Sequence, residues 1–129
     1  MKTKTASLIL GIIFLVAGLL GFVPNPIIGM ADGAIFHADT VHSIIHIASG
    51  LLFIFIAVVA TSSAPLVLKI FGAVYFLLGV LGMINIGSEG MTTLLGFLHV
   101  NGADNYFHIV MGLIVLLAGF LKPKAMVSS

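Results

Sequence analysis

The sequence predicts an all-α protein: a four-helix transmembrane bundle made of two tandem helical hairpins arranged as a parallel repeat. Three features of the 129-residue chain lead to this prediction, namely an apolar composition, four apolar stretches of membrane-spanning length and a repeat that relates the two halves. Hydrophobic residues make up 60% of the chain and charged residues 7%, whereas soluble domains carry roughly 45–50% and about 25%. This composition excludes a soluble globular domain and a disordered chain.

The charge balance and the lack of cysteine exclude further classes. Five lysines and four acidic residues leave a net charge of +1, so there is no basic patch to neutralise the phosphates of a nucleic acid. The chain contains no cysteine, which excludes a disulfide framework, a thiolate metal site and a cysteine nucleophile. We therefore expect residues 1–129 to form a single integral membrane domain.

Each of the four predicted spans has about the 20 residues that a helix needs to cross a bilayer. They cover about residues 6–23, 40–60, 66–86 and 103–121. The first ends at Pro24-Asn25-Pro26, a cluster that terminates a helix. Although Lys2 and Lys4 before an apolar run resemble the start of a signal peptide, no small-x-small cleavage site precedes Pro24. We therefore expect a retained span.

The charged residues predict the orientation of the spans. The positive charges lie at the two termini or near the connection between the second and third spans: Lys2, Lys4, Lys69, Lys122 and Lys124. The acidic residues lie in or beside the other two connections: Asp32, Asp39, Glu89 and Asp104. Because positively charged segments stay on the cytoplasmic side, we expect both termini to be cytoplasmic and the connections 24–39 and 87–102 to face outward.

The two halves of the chain match each other, as repeat 1 (about residues 6–60) and repeat 2 (about residues 67–121). At an offset of 61 residues, three glycines of the first span match three of the third: Gly11, Gly18 and Gly21 with Gly72, Gly79 and Gly82. At an offset of 62, His37, His46 and Gly50 match His99, His108 and Gly112. We expect the six glycines of the first and third spans to keep one helix face thin for close packing. The outer connections are unusually apolar, which predicts short interfacial or re-entrant segments over the bundle.

This pattern resembles a known bacterial family, the small four-span membrane proteins catalogued as domain of unknown function 4383. The likeness covers about residues 6–121 and rests on the two-span repeat, the steps Phe36-His-Ala-Asp39 and Leu98-His-Val-Asn101, and the segment 101–108. The resemblance implies a four-span fold in a bacterial cytoplasmic (inner) membrane. It implies no activity, because the family carries none to transfer.

The histidines are the main candidates for a functional site. His42 and His46 are four residues apart and share one helix face, and Asp104 and His108 have the same spacing in the other half. If the repeat brings the two faces together, three imidazoles and a carboxylate form an N/O ligand set that suits zinc, iron or manganese. A second version uses only His46 and His108, as opposed axial ligands of a haem.

A structural role for the same residues is the alternative. His46 and His108 could hydrogen-bond to carbonyls of the outer loops and hold those loops in place. His37 and His99 could do the same, while Asp39 and Asn101 are suited to capping the starts of the second and fourth helices.

The sequence favours a small non-catalytic membrane protein of unknown role, in contact with the lipid bilayer and associating with lipids, other membrane proteins or further copies of itself. No phosphate-binding loop, Ser/His/Asp motif or HExxH motif is present. The alternative function is a metal- or haem-binding membrane protein with a His/Asp site near the outer face. These two functions differ in whether purified protein carries a metal or a chromophore.

Overall fold

The computed structural model describes residues 2–30, 33–87, 90–96 and 98–121. Within them the helices are α1 (Thr3–Leu20), α2 (Thr40–Val58), α3 (Ala64–Ile86) and α4 (Gly102–Ala118). Four short strands connect them, β1 (Ile28–Gly29), β2 (Phe36–His37), β3 (Met91–Leu94) and β4 (Leu98–Asn101). A 3₁₀ turn at Thr61–Ser63 links α2 to α3. Four charges used to predict the orientation lie outside the described residues: Asp32, Glu89, Lys122 and Lys124.

The prediction of an all-α protein with four apolar helices is confirmed. Three helical segments are long and apolar enough to cross a membrane: Thr3–Leu20, Thr40–Val58 and Thr61–Ile86. The fourth, α4, is apolar and has 17 residues, which at about 1.5 Å per residue spans roughly 25 Å, the lower end of the transmembrane range. The predicted bounds differ most at the start of α1, which begins three residues earlier, and at the ends of α1 and α4, where short turns replace the last predicted helical residues.

The helices are apolar on their outward faces as well as in the core. Phe14, Phe53, Leu68 and Val115 are fully buried between the helices. Large apolar side chains are exposed on all four helices, among them Ile12, Val16, Leu51, Leu77, Ile84 and Leu117. Helices that are apolar all round belong in a large core or in a bilayer. Because the described residues do not bury these faces, the helices indicate a membrane protein.

Glycine lets the helices approach closely within two pairs, α1 with α2 and α3 with α4. A Cβ atom added at Gly11 of α1 would lie 2.7 Å from Cγ1 of Ile54 and 2.8 Å from the carbonyl oxygen of Gly50, both on α2. At the other five predicted contact glycines an added Cβ atom would also lie too close to residues of the neighbouring helix. In the first pair these are Ile47 and Ser43 for Gly18, and Ser43 for Gly21. In the second pair they are Leu116 and Gly112 for Gly72, Ile109 and Asn105 for Gly79, and Asn105 for Gly82. Each therefore stands where a neighbouring helix leaves no room for a side chain. The obstacle includes backbone at Gly11, Gly18, Gly72 and Gly79, and is the side chain of Ser43 or Asn105 at Gly21 and Gly82.

The strands lie at the end of the bundle where α2 and α4 begin, here called the loop end. β1 pairs with β2 in parallel, and β3 pairs with β4 in an antiparallel hairpin with Thr93 opposite His99. The apolar side chains Leu94, Leu98 and Val100 of the hairpin are buried. The two strands of a hairpin pair their backbone N–H and C=O groups with each other. The β3–β4 connection can therefore be apolar and cover the end of the bundle without leaving these groups unpaired.

Candidate metal centre

Three histidines meet inside the bundle near the loop end. One ring nitrogen from each of His42, His46 and His108 lies within 4.8 Å of the other two. The three side chains are buried, with exposed fractions of 1%, 4% and 1%. The ring centroids of His42 and His46 are 4.5 Å apart, and those of His42 and His108 are 5.3 Å apart. We call this group the histidine cluster.

Helix starts and helix periodicity set the positions of the cluster. His42 and His46 are one turn apart on α2, and α2 is capped by Asp39, whose carboxylate accepts a hydrogen bond of 2.9 Å from the backbone N–H of His42. The start of α4 is a capping box, in which Asn101 and Asp104 each accept from the other's backbone N–H, at 2.9 and 2.8 Å. The two caps fix the starts of α2 and α4, and the cluster lies within the first two turns of these helices.

The structure brings three of the four predicted metal ligands together and uses the fourth elsewhere. Asp104 is not in the group of close ligand atoms. Its carboxylate serves the capping box and lies beside the backbone N–H of His37. It remains near the cluster, because Asp104 and His46 line the same small cavity of about 10 Å³, which is about the volume that one water molecule requires.

The cluster contains ring nitrogens with no hydrogen-bond partner among the described residues. They are Nε2 of His42, both ring nitrogens of His46, and Nδ1 of His108. Leaving one buried polar atom unpaired costs about 1–3 kcal/mol, and buried polar groups in folded proteins almost always have a partner. These four nitrogens are therefore available to bind a ligand.

His42 is the cluster member that a loop holds in place. Its Nδ1 lies 3.0 Å from the carbonyl oxygen of His99 on β4. If this nitrogen carries the proton and donates to the carbonyl, the other nitrogen, Nε2, is left unprotonated toward the cluster. The loop contact predicted for His46 belongs to His42 instead, since both nitrogens of His46 are unpaired within the described chain. An imidazole that donates one N–H to a backbone carbonyl is typical of metal ligands.

His37, His99 and Asp39 lie outside the cluster, on the surface of the loop end. Nε2 of His99 is 3.5 Å from a carboxylate oxygen of Asp39, and Nδ1 of His99 is 3.2 Å from the hydroxyl of Thr93. The rings of His37 and His99 have centroids 6.3 Å apart. The contact of His99 with Asp39 joins the β3–β4 hairpin to the N-cap of α2. A hydrogen bond of 3.0 Å from the side chain of Asn101 to the carbonyl of Ile35 joins the start of α4 to the connection between α1 and α2.

Aromatic rings surround the cluster, and one adjacent polar pair was missed by the sequence analysis. Phe14 and Phe107 have ring centroids 5.8 and 6.0 Å from that of His46. The ring of Tyr75 is 5.8 Å from that of His108, and its hydroxyl shares a hydrogen bond of 2.7 Å with Ser49. The available signal was the alignment of Tyr75 with Phe14 in the repeat, since this alignment places both aromatic residues at equivalent points beside the histidines.

A cavity of about 230 Å³ adjoins the cluster on the side between α2 and α3. His42, His108, Ser49 and Tyr75 contribute its polar lining, and the rest of the lining is apolar: Ile45, Phe71, Val74, Leu78, Leu95 and Leu98. Two cluster members therefore face a space with room for a molecule larger than a water. Three neutral imidazoles with open space beside them form a donor set that suits a tetrahedral metal ion with one position left for another ligand.

The sequence matches one described family over nearly its whole length. The family, described as Domain of unknown function (DUF4383), matches residues 4–121. No curated protein and no solved structure matches the chain significantly.

Proposed function

The chain belongs to this family, and we propose that it is a metal-binding membrane protein that holds one divalent transition-metal ion between His42, His46 and His108. The convergence of the three buried imidazoles, with four unpaired ring nitrogens among them, carries the proposal. One nitrogen of each ring would donate its lone pair to a bound ion. This coordination would offset most of the cost of burying these nitrogens without a partner.

The donor set determines which ions fit. Imidazole nitrogen suits zinc, copper, iron and nickel, whereas magnesium and calcium require oxygen ligands. At zinc–nitrogen distances of about 2.0–2.1 Å, the ligand nitrogens of a tetrahedral site are about 3.3 Å apart. The observed separations of up to 4.8 Å therefore require the rings to move inward by about 1 Å on binding.

The surroundings supply what a metal site needs beyond its direct ligands. The carbonyl of His99 fixes one ring of the cluster through its distal nitrogen, a contact that orients the ring and raises the basicity of the ligand nitrogen. Asp104 places a carboxylate on the cavity shared with His46. In its ionised form this carboxylate offsets part of the charge of a bound cation, and the capping box holds it in place.

The geometry favours a metal ion over haem. In a haem site His46 and His108 would stand on opposite faces of a flat macrocycle. The ring of His42 has its centroid 4.5 Å from that of His46 and 5.3 Å from that of His108, so it occupies the space that the macrocycle requires. The same position makes His42 a third ligand of a small ion.

We also infer a location and a topology for this site. The described lysines Lys2, Lys4 and Lys69 lie near the helix ends opposite the loop end. The positive-inside rule then supports cytoplasmic termini in a bacterial inner membrane and a metal centre near the outer surface. The corresponding glycine contacts in the two helix pairs support tandem repeats at about residues 6–60 and 67–121, with one cluster shared between them.

A second candidate function is a non-catalytic membrane protein that associates with lipids, with other membrane proteins or with further copies of this chain. The continuous apolar surface of the helices favours it. This function leaves the unpaired nitrogens of the histidine cluster without a role. The two candidates are separated by the metal content of the purified protein.

The experiment that tests the proposal is metal analysis of the full-length chain, purified in detergent through a tag that contains no histidine. After incubation with Zn²⁺ and removal of unbound metal, we expect inductively coupled plasma mass spectrometry to measure about one zinc ion per chain. The double variant His46→Leu/His108→Leu should bind no zinc. The control is His99→Leu, which removes an exposed ring but keeps the backbone carbonyl that holds His42, and it should retain the metal.

Two results would overturn the proposal. One is a wild-type chain that takes up none of zinc, copper, nickel or iron(II) while remaining folded by circular dichroism. The other is equal zinc uptake by the wild type and the double variant. A metal-free, folded wild type would favour the second candidate function.

A further inference from the structure

We propose that the fourth ligand of the metal is a carboxylate at the head of a single-chain lipid, a fatty acid that reaches the metal through the cavity between α2 and α3. This inference rests on the proposed metal centre and names the class of molecule that the centre receives. The first argument is the position of the cavity, which is lined by His42 and His108 and therefore lies on the open side of the cluster.

The cavity opens toward the bilayer and is covered at the loop end. α2 and α3 contact each other sparsely, in contrast with the glycine-mediated contacts within each helix pair. On the membrane side the wall includes Val74, which is 50% exposed. At the loop end, Leu95 and Leu98 of the β3–β4 hairpin lie over the cavity. The sparse contact between α2 and α3 therefore gives a ligand a route to the cluster from the membrane.

The backbone of the hairpin turn supports a specific role for this cover. Leu95 has φ +54° and is the only described residue other than glycine with a positive φ. That conformation is unfavourable for a leucine side chain, and such strain persists where the surrounding structure requires it, often at ligand clamps. Asparagine or glycine at position 95 would adopt this conformation more easily. Neither would place an apolar side chain against the cavity, as Leu95 does.

The chemistry of the lining selects an amphipathic ligand. Its polar groups lie together, with the imidazoles of His42 and His108 near the hydrogen-bonded hydroxyls of Ser49 and Tyr75. The remaining wall is aliphatic or aromatic and suits an alkyl chain. A volume of about 230 Å³ far exceeds the 10–15 Å³ that one water requires on this measure. It accommodates a head group and the first part of a chain whose remainder lies in the bilayer.

Charge favours an anionic oxygen-containing head group, and the coordination chemistry of zinc favours a carboxylate among these. Three neutral imidazoles lower none of the charge of a divalent ion, and Asp104 offsets only part of it, so net charge remains in a buried site where it is costly. An anionic fourth ligand lowers that charge, and carboxylate oxygen is an established ligand of zinc and related ions. An alcohol or an ester carbonyl supplies no charge, and a quaternary ammonium supplies the wrong one.

The test uses Co²⁺, whose visible absorption depends on the ligands around it, in the full-length protein in detergent. Octanoate is added to the cobalt-loaded chain and compared with acetate and octanol. We expect octanoate to change the cobalt spectrum at a concentration at least tenfold lower than acetate, and octanol to leave the spectrum unchanged. Val74→Trp, which narrows the cavity, should weaken octanoate binding at least tenfold and leave acetate binding unaltered. Leu77→Trp, on the lipid-facing side of the same helix, is the matched control.

The outcomes distinguish this inference from the metal site itself. If the chain binds cobalt but octanoate is no better than acetate, or if octanol matches octanoate, the fatty-acid inference fails and the metal centre stands. If octanoate binds equally well without metal, carboxylate ligation is wrong. If the chain binds none of cobalt, zinc, copper, nickel and iron(II), both proposals fail together, and the metal analysis shows this before any fatty acid is added.

Discussion

Replacing His46 by leucine is expected to abolish metal binding while leaving the metal-free protein as stable as the wild type or more stable. Without metal, both ring nitrogens of His46 are buried and unpaired, and each unpaired buried group costs about 1–3 kcal/mol. Leucine is of similar size and carries no polar atom. The free energy of unfolding of the metal-free variant should therefore equal the wild-type value or exceed it by up to about 3 kcal/mol.

Zinc should reverse the order of stability, so that the wild type becomes more stable than the His46→Leu variant. At a free zinc concentration 1,000 times the dissociation constant, binding to the folded state alone stabilises the wild type by about 4.1 kcal/mol, which exceeds the largest advantage expected for the metal-free variant. The His46→Leu variant should gain nothing. Thermal unfolding in detergent, with EDTA and with zinc, measures both effects in one experiment. His99→Leu is the control and should respond to zinc as the wild type does.

The contrary result is equally clear. If His46→Leu lowers the stability by the same amount with EDTA and with zinc, the ring contributes to packing alone. The edge-to-face contact of His46 with Phe14 would then be its main role.

Replacing Gly72 by alanine is expected to destabilise the protein by about 1–3 kcal/mol, the usual cost of overpacking a core. Helix propensity alone would give the opposite result, because alanine is more favourable than glycine inside a helix by about 1 kcal/mol. A Cβ atom at Gly72 would overlap the backbone of Leu116 and lie 2.8 Å from the carbonyl oxygen of Gly112. A side chain could change its rotamer to make room, but backbone atoms cannot, so α3 and α4 must move apart.

The corresponding substitution in the first helix pair extends this prediction. Gly11→Ala should destabilise the protein to a similar degree, because its Cβ atom would lie 2.8 Å from the carbonyl oxygen of Gly50. Leu77→Ala, at an exposed position on α3, is the control and should change the stability by no more than about 0.5 kcal/mol. Denaturant unfolding of the three variants in detergent provides the comparison. A neutral or stabilising Gly72→Ala would show that the close approach of α3 and α4 is not required.

The sequence predicted the helices well, because their signals are local. Apolar stretches of bilayer length, proline clusters and capping residues such as Asp39 act within a few positions of each helix end. The glycine positions were also predictable as a set, since the repeat marks the same helix face twice. The hairpin β3–β4 was not predicted, because the alternation of apolar and polar residues in β4 covers only four residues, the shortest run that indicates a strand.

The site was predictable in part. Helical spacing placed His42 and His46 on one face, and the repeat suggested that His108 would lie opposite them. Two long-range choices could not be read from spacing. Asp104 could serve a metal or a capping box, and the capping box with Asn101 takes it. The bond between His42 and the carbonyl of His99 joins residues 57 positions apart, and it depends on how the hairpin folds over the bundle.

The most direct test of the metal centre is the X-ray absorption spectrum of the zinc-loaded protein at the zinc edge. We expect three imidazole nitrogens at about 2.0–2.1 Å, one further light ligand, and no sulfur, as in three-histidine zinc sites. The spectrum of His99→Leu should be the same. A spectrum with fewer than three imidazoles, or one that does not change in the His46→Leu/His108→Leu variant, would contradict a metal ion held by the histidine cluster.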